Sequence, residues 1–204
     1  MNDFGLYVVM TDPVVGYARC AEAAVRSGVE MVQLRMKNAS RAEVLRVARE
    51  VRSVTKGTGT NFIVNDDPQI AAEAEADGVH VGQGDMTPGE IRRRFPGLRI
   101  IGLSTHNPGQ TEASASEPID YIGVGPVYAT PTKEIPDPVL GLDGMRKMLG
   151  LAAHPAVAIG GIDESRIKEV VAAGARNFAV VRAVCKTCSP YREMMRLKEL
   201  AAGE

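Results

Sequence analysis

Eight short runs of apolar residues, many of them β-branched, alternate along the chain with segments that carry helix signals. The runs show little alternation of apolar and polar residues, as expected of parallel strands buried on both faces. The predicted strands are Leu6–Met10, Met31–Leu34, Phe62–Val64, Gly78–Val81, Arg99–Leu103, Tyr121–Val124, Ala156–Ile159 and Phe178–Val181. Eight such units in 204 residues predict an α/β fold, a (β/α)8 TIM barrel. A doubly wound open sheet usually has about six strands and would leave two units unexplained.

The segments between the predicted strands begin with helix-capping patterns. Ser40 to Glu43 form a capping box, and Thr87-Pro88 and Asn107-Pro108 each place proline directly after a capping residue. No linker-like or low-complexity stretch divides the chain. We therefore predict a single domain over residues 1–204.

Composition excludes several classes of protein. The formal net charge is −1, which argues against a general nucleic-acid binder or a binder of anionic membranes. No apolar run is long enough to span a membrane, and the N-terminus lacks the pattern of a secretory signal, so we expect a cytoplasmic protein. The three cysteines do not make a disulfide framework, and the pair Cys185 and Cys188 lacks the second pair that a zinc site needs.

Polar residues cluster directly after the predicted strands, where the reactive residues of a barrel lie. The clusters are Thr11-Asp12, residues 33–37, residues 65–67, residues 83–85, residues 104–106, residues 130–133 and Gly160-Gly161. Because the carboxyl ends of parallel strands share one rim, the pattern predicts a functional site there.

Two carboxylates of this rim predict a magnesium site. Asp66 and Asp85 follow neighbouring strands, and Mg²⁺ in proteins takes few carboxylates, keeps waters and binds substrate phosphates. The alternative is that both acids cap helices. Asp67 is the better cap, because Pro68 follows it at the first helical position.

Cations and glycines of the rim predict an anionic substrate. Arg35, Lys37 and Lys133 would together hold a polyanion such as diphosphate, although each could be a solvated loop charge. Gly160-Gly161, followed by a capped helix, would let a phosphate approach backbone N–H groups, although a plain tight turn is the alternative.

The three histidines do not provide an evident general base. His80 is expected to be a hydrogen-bonded core residue, His106 has no acidic partner in sequence, and His154 lies at the opposite end of a strand. Metal, cations and amides without a base indicate chemistry driven by activation of a leaving group.

The chain resembles the thiamine phosphate synthase family over nearly its full length. The matching segments are residues 5–13 (GLYVVMTDP), 33–37 (QLRMK), 64–67 (VNDD), 76–86 (ADGVHVGQGDM), 101–106 (IGLSTH), 120–133 (DYIGVGPVYATPTK) and 157–162 (VAIGGI). This resemblance implies a TIM-barrel enzyme that joins a hydroxymethylpyrimidine diphosphate to a thiazole phosphate. It implies a dissociative reaction, in which pyrophosphate leaves and the thiazole nitrogen captures a pyrimidine methyl cation.

The resemblance also implies a role for each matching residue. Contacts to the pyrimidine diphosphate would come from Gln33, Arg35, Lys37 and Asn65. Mg²⁺ would be held by Asp66 and Asp85, and the departing diphosphate by Ser104 and Lys133. The thiazole phosphate would be bound by Thr130, Pro131, Thr132, Gly161, Val181 and Arg182. The expected catalytic residues are Lys133, Ser104 and Arg35, and the expected partners are small-molecule substrates, with homo-oligomerisation possible.

Three departures from the family pattern stand out. Met36 replaces a common acidic residue, Arg182 replaces a common serine, and residues 134–140 carry two prolines and two acids. Two other functions stay open: a thiazole tautomerase of the same superfamily, which would need a base but no diphosphate apparatus, and a non-catalytic sensor of phosphate ligands. The Thr130 to Lys133 run and the aspartate pair favour the synthase.

Overall fold

Eight parallel strands close into a barrel in the computed structural model, which describes residues 3–130 and 138–203. The strands are β1 (Leu6–Met10), β2 (Met31–Leu34), β3 (Asn61–Asn65), β4 (Gly78–Val81), β5 (Ile100–Thr105), β6 (Tyr121–Val124), β7 (Ala156–Ile159) and β8 (Asn177–Val180). Each strand pairs with its neighbours in sequence, and β8 pairs with β1 to close the ring. The predicted fold is confirmed, with the bounds of β3, β5 and β8 shifted by one or two residues.

Helices surround the barrel, and α2, α3, α4 and α5 begin after the predicted capping residues. They are α1 (Tyr17–Arg26), α2 (Arg41–Thr55), α3 (Pro68–Glu73), α4 (Pro88–Arg94), α5 (Pro108–Ala113), α6 (Gly141–Leu151), α7 (Ile167–Ala172), α8 (Arg182–Cys185) and α9 (Pro190–Ala202). The side chains of Ser40, Thr87 and Asn107 each accept a hydrogen bond from the backbone N–H three residues on. Asp67 caps α3 in the same way, as predicted.

One predicted helix start is wrong. The sequence places a capped helix directly after Gly160-Gly161, but α7 begins only at Ile167. Asp163 instead accepts hydrogen bonds from the backbone N–H and the hydroxyl of Ser165, which organises a turn. The N-terminus of α7 therefore does not directly follow the glycines.

The barrel has two apolar layers because successive side chains of each strand point to opposite faces. Outward side chains such as Val8 and Val32 pack against the helices. The inward layer fills the interior with Phe4, Tyr7, Val9, Met31, Ile63, Ile100, Tyr121, Val157 and Ala179. The interior is thus packed rather than hollow, and a ligand is expected at the end where the strands finish.

Polar side chains hold the opposite end, where the strands begin. Asp77, which precedes β4, accepts hydrogen bonds from the backbone N–H of Phe62 and from Arg52 and Arg99. Asp120, which precedes β6, does the same for the N–H of Ile101 and for Arg92. The first residue of β8, Asn177, accepts from the N–H groups of Phe4 and Gly5. These contacts fix neighbouring strands to each other at their starts.

No described helix has the length and apolar character needed to cross a bilayer.

Candidate active site

The rim formed by the strand ends gathers the predicted acids. Asp66 follows β3, and its backbone N–H donates to the carbonyl of His80 on β4 at 2.8 Å. Its carboxylate forms an ion pair with Lys37, which follows β2. Asp85 follows β4, and its Oδ2 accepts from the N–H of Gly82 at 2.7 Å. Both carboxylates therefore extend from adjacent, paired strands at the same end of the barrel.

The backbone of Asp66 adopts a conformation that non-glycine residues seldom take. Its φ is 65°, and Asp12, which follows β1, has a φ of 45°. Aspartate tolerates this left-handed region better than most residues, yet it still carries some strain. Two acids of one rim are therefore held in positions that an ordinary extended strand end would not give.

Arg35, which follows β2, is close enough to both of these acids to interact with them electrostatically. Burial lowers the pKa of its guanidinium from the ordinary value, and the nearby carboxylates of Asp66 and Asp12 oppose that shift. No hydrogen bond or ion pair joins the guanidinium to another described residue, so its N–H donors are available to a ligand. A partly buried cation of this kind suits a planar contact to phosphate.

Ser104 and Gln33 lie just inside the barrel mouth, and both are hydrogen-bonded to buried polar side chains. The hydroxyl of Ser104, on β5, is 2.9 Å from Nε2 of His80. Gln33, on β2 and only 4% exposed, donates from Nε2 to the hydroxyl of Tyr7 at 2.8 Å. The expectation that His80 is a hydrogen-bonded interior residue is confirmed, because Nδ1 of its ring is also 3.0 Å from the Tyr121 hydroxyl.

A cup of close backbone lies on the opposite side of the rim, after β7. Gly160 and Gly161 have φ values of 106° and 66°, where glycine is strongly favoured. A Cβ on Gly161 would lie 2.8 Å from the Cβ of Tyr128 and 3.0 Å from the carbonyl oxygen of Ala129. The loop that leads to Thr130 is therefore packed against these glycines, and a side chain at either position would push the two loops apart.

Arg166 braces this cup, and no sequence pattern indicated its role. Its Nη1 donates to the carbonyl of Gly161 at 2.6 Å, while its guanidinium lies 4.6 Å from the centre of the Tyr128 ring. Arg182, in contrast, begins α8, and its side chain has no hydrogen-bond or ionic partner among the described residues. Val181 caps that short helix without a side-chain hydrogen bond.

Several predicted site residues lie outside the part of the chain that the structure describes. These are Pro131, Thr132 and Lys133, together with most of the 134–140 segment. Asn65 ends β3 and pairs in register with His80 on β4, at the same rim as Asp66. The predicted site residues within the described part of the chain thus lie at the strand ends, around one mouth of the barrel.

The residues that fit a metal ion are few. Among residues 3–130 and 138–203 no cluster of three or more His, Cys, Asp and Glu side chains is placed to hold one. Two carboxylates on adjacent strand ends nevertheless match the oxygen ligands that Mg²⁺ takes when waters and phosphate oxygens complete its shell. The described cysteines are all free: Cys20 and Cys185 are buried and Cys188 is exposed, as expected for reduced thiols.

The chain is similar in sequence and fold to proteins of known family. A family model described as thiamine monophosphate synthase matches residues 6–184. A thiamine-phosphate synthase of Thermus thermophilus is 41% identical over 204 residues, covering 97% of each chain. A thiamine-phosphate synthase of Gloeobacter violaceus is 43% identical, covering 92% of this chain, which spans only 54% of that relative. The structure of a thiamine phosphate pyrophosphorylase from Pyrococcus furiosus superposes with a TM-score of 0.89 at 29% identity, covering 99% and 97% of the two chains.

Proposed function

Because the chain belongs to the thiamine monophosphate synthase family, we propose that it joins a hydroxymethylpyrimidine diphosphate to a thiazole phosphate and releases pyrophosphate. In this reaction the bond between the pyrimidine methylene carbon and the diphosphate oxygen breaks. The diphosphate leaves with the bonding electrons, and the thiazole nitrogen supplies the pair for the new carbon–nitrogen bond. No proton needs to be removed by the protein, which agrees with a rim that carries cations and amides rather than an evident base.

The observation that carries the proposal is the placement of cations and hydroxyls around one mouth. Arg35 and Lys37 follow β2, and Ser104 lies near the end of β5 at the same rim. Groups that donate to a departing diphosphate stabilise the charge that develops on it, which is the largest contribution that such a site can make. Lys133, outside the described residues, is proposed to act on the same leaving group, and Asn65 to orient the pyrimidine.

We propose that Asp66 and Asp85 hold Mg²⁺ against the diphosphate. Bound there, the ion would neutralise charge on the diphosphate oxygens. Lys37 pairs with Asp66 in the structure, so this lysine lies beside the proposed metal ligand.

The glycine cup is proposed to take the thiazole phosphate. Gly160 and Gly161 pack closely against the loop after β6, and Thr130 lies one residue beyond a carbonyl packed against Gly161. The turn at Val181 and Arg182 completes this part of the rim. Pro131 and Thr132, outside the described residues, are proposed to continue the Thr130 side of the cup.

A direct assay tests the proposed function. The protein is incubated with the pyrimidine diphosphate, the thiazole phosphate and Mg²⁺, and thiamine phosphate and pyrophosphate are measured together. Asp66→Asn and Asp85→Asn should each lower the rate by about 10²-fold or more. Asp143→Asn, at a carboxylate that is 98% exposed on α6, is the matched control and should keep the wild-type rate.

Two results would contradict the proposal. Folded protein that yields no thiamine phosphate would exclude the synthase, and conversion of thiazole phosphate without the second substrate would favour the tautomerase. Full activity of both aspartate variants at limiting Mg²⁺ would exclude the proposed metal ligands.

Arg182 is expected to contribute to thiazole phosphate binding. Its unpartnered guanidinium can make a two-pronged contact to phosphate that a serine hydroxyl cannot. Arg182→Ser should therefore raise KM for the thiazole phosphate and leave KM for the pyrimidine diphosphate nearly unchanged. Steady-state kinetics with each substrate varied in turn would show this, and equal KM values in the two proteins would mean that only the backbone serves there.

A further inference from the structure

A continuous line of hydrogen bonds runs through the barrel interior from Gln33 to Ser104. The Tyr7 hydroxyl lies 2.8 Å from Nε2 of Gln33 and 2.9 Å from the Tyr121 hydroxyl. The line continues from Tyr121 to Nδ1 of His80 and from Nε2 of His80 to the Ser104 hydroxyl, at 3.0 and 2.9 Å. Its two ends are residues that the family resemblance assigns to the pyrimidine diphosphate.

The donors and acceptors of this line have one consistent direction. An amide nitrogen only donates, so the Tyr7 oxygen accepts from Gln33. Among the described residues Tyr7 then has one acceptor for its own proton, the Tyr121 oxygen. By the same step Tyr121 donates to Nδ1 of His80.

The direction decides which nitrogen of His80 carries the proton. A neutral imidazole whose Nδ1 accepts must hold its hydrogen on Nε2, and Nε2 faces Ser104. An imidazole that accepts a hydrogen bond at Nδ1 is neutral, because a doubly protonated ring can only donate. Burial raises the pKa of Tyr7 and of Tyr121 above the ordinary value of a phenol, so both keep their protons.

We propose that His80, Tyr121 and Tyr7 are positioning residues that hold the Ser104 hydroxyl as a hydrogen-bond donor toward the barrel mouth. Because the Ser104 oxygen accepts from His80, its own proton is left for a ligand. This inference rests on the proposed function in one respect, namely that the ligand oxygen is that of a diphosphate. The opposite direction would send the Ser104 proton into the barrel and present only lone pairs to an anion.

The barrel interior is shaped around this line. A Cβ on Gly102 would lie 2.2 Å from Cζ of Tyr121 and 2.4 Å from Nδ1 of His80. Only glycine at this position of β5 allows the tyrosine hydroxyl and the imidazole to meet. The contact between Tyr121 and His80 thus depends on a residue that touches neither substrate.

Nuclear magnetic resonance tests the direction without any assay of activity. The chain has three histidines, so the ring nitrogens can be assigned by comparing the wild type with His80→Gln. Long-range proton–nitrogen spectra distinguish the two neutral tautomers of an imidazole. We expect His80 to carry its proton on Nε2 in the wild type and to lose this preference in Tyr121→Phe. A wild-type ring protonated on Nδ1 would overturn the proposal.

Kinetics test whether the line matters to the reaction. Tyr121→Phe keeps the ring and removes the hydroxyl, so kcat should fall about tenfold, while KM for thiazole phosphate changes less than about twofold. Tyr191→Phe removes a hydroxyl from a residue that is 39% exposed on α9 and is the matched control. An unchanged kcat in folded Tyr121→Phe would overturn the positioning role.

A pair of substitutions at His80 separates positioning from packing. The glutamine of His80→Gln can accept from Tyr121 and donate to Ser104, whereas the side chain of His80→Leu can do neither. We expect His80→Gln to retain several times more kcat than His80→Leu at similar thermal stability, and equal losses would overturn the proposal. If the wild type has no synthase activity, the proposed function fails, and the spectra alone then decide the direction of the line.

Discussion

Gly102 shows how closely the barrel interior is packed at the level of one atom. The Cβ of an alanine would overlap the ring of Tyr121 and the imidazole of His80. The Gly102→Ala variant should therefore lose about 3 kcal/mol of unfolding free energy, as overpacked cores do. Urea denaturation followed by circular dichroism would measure this loss.

Gly89 provides the comparison for this prediction. It lies in α4, where an added Cβ would meet nothing within 4 Å. Gly89→Ala should leave stability unchanged or raise it by up to about 1 kcal/mol through helix propensity. Similar losses in the two variants would mean that overlap inside the barrel is not the cause.

His80 should make stability depend on pH. The folded state lowers the pKa of His80 to about 4 from 6.5, so between these values the unfolded chain binds more protons. The contribution of His80 to the free energy of unfolding is complete above about pH 6.5 and is lost as the pH falls toward 4. The free energy of unfolding should drop by about 2 kcal/mol from pH 7 to pH 5.

The His80→Gln variant isolates this effect from the titration of the carboxylates. Its unfolding free energy, measured at the same two pH values, should fall by less than that of the wild type. Parallel pH dependence of the two proteins would show that His80 titrates normally in the folded state.

The sequence predicted single residues best where their chemistry is local. Asp67 could be predicted as a cap because Pro68 follows it, and the structure confirms this. The interior line through Tyr7, Tyr121 and His80 could not be predicted, since Tyr7 and Tyr121 are 114 residues apart in apolar strands. The apolar runs of β1 and β6 show little alternation, so they do not reveal which side chains point inward, and the contact between the two strands depends on closure of the barrel.

At the level of elements, the strand starts are joined by acids that are buried or partly buried. Asp77, 7% exposed, pairs with Arg52 of α2 and accepts the N–H of Phe62 on β3. Asp77→Ala would leave the partly buried Arg52 and a buried N–H without their acceptor, so we expect a loss of about 3 kcal/mol. Denaturant unfolding would measure it.

Asp143 is the control for Asp77. It also pairs with an arginine, Arg146, but its side chain is 98% exposed, and exposed ion pairs contribute little. Asp143→Ala should have nearly the wild-type free energy of unfolding. Equal effects at the two positions would contradict the importance of burial at the strand starts.

The start of a helix could be predicted where a local sequence pattern specifies its cap. The prediction failed where a turn competes with the helix start. The pattern after Gly161 offers Asp163 as a cap, yet its carboxylate binds Ser165 two residues on, and α7 starts later. Some side chains can organise either a turn or a helix start, and the packing of the whole loop determines which of the two forms.

For the whole molecule, the two ends of the barrel have different tasks. The acids at the strand starts hold the barrel, and the strand ends carry the proposed chemistry. A ligand at that rim should stabilise the entire fold, since the site exists only when all the strands are paired. Pyrophosphate with Mg²⁺ at about 100 times its Kd should raise the unfolding free energy by about 2.7 kcal/mol.

Thermal unfolding with pyrophosphate and Mg²⁺ together, and with each alone, would test this. The combination should raise Tm most, and the gain should be smaller in Asp66→Asn but intact in Asp143→Asn. An equal gain in both variants would place the pyrophosphate elsewhere on the protein.

Eight predicted strands that alternate with helices were enough to predict the barrel. Eight such repeated units match a closed barrel, whereas an open sheet would leave two of them unexplained. The grouping of rim residues followed from the same argument. The cup after β7 was less accessible to sequence reasoning, since Arg166 contacts Gly161 only after the turn at Asp163 folds.

The interior line of tyrosines also gives the protein a natural optical reporter. The chain has five tyrosines and no tryptophan, so near-ultraviolet absorption and emission come mainly from phenol rings. Two of these rings, Tyr7 and Tyr121, are fully enclosed and share a hydrogen bond. A ligand that accepts a hydrogen bond from the Ser104 hydroxyl would polarise the hydrogen bond between Tyr7 and Tyr121 through His80. The resulting shift in near-ultraviolet tyrosine absorption would report binding at the barrel mouth without any added label.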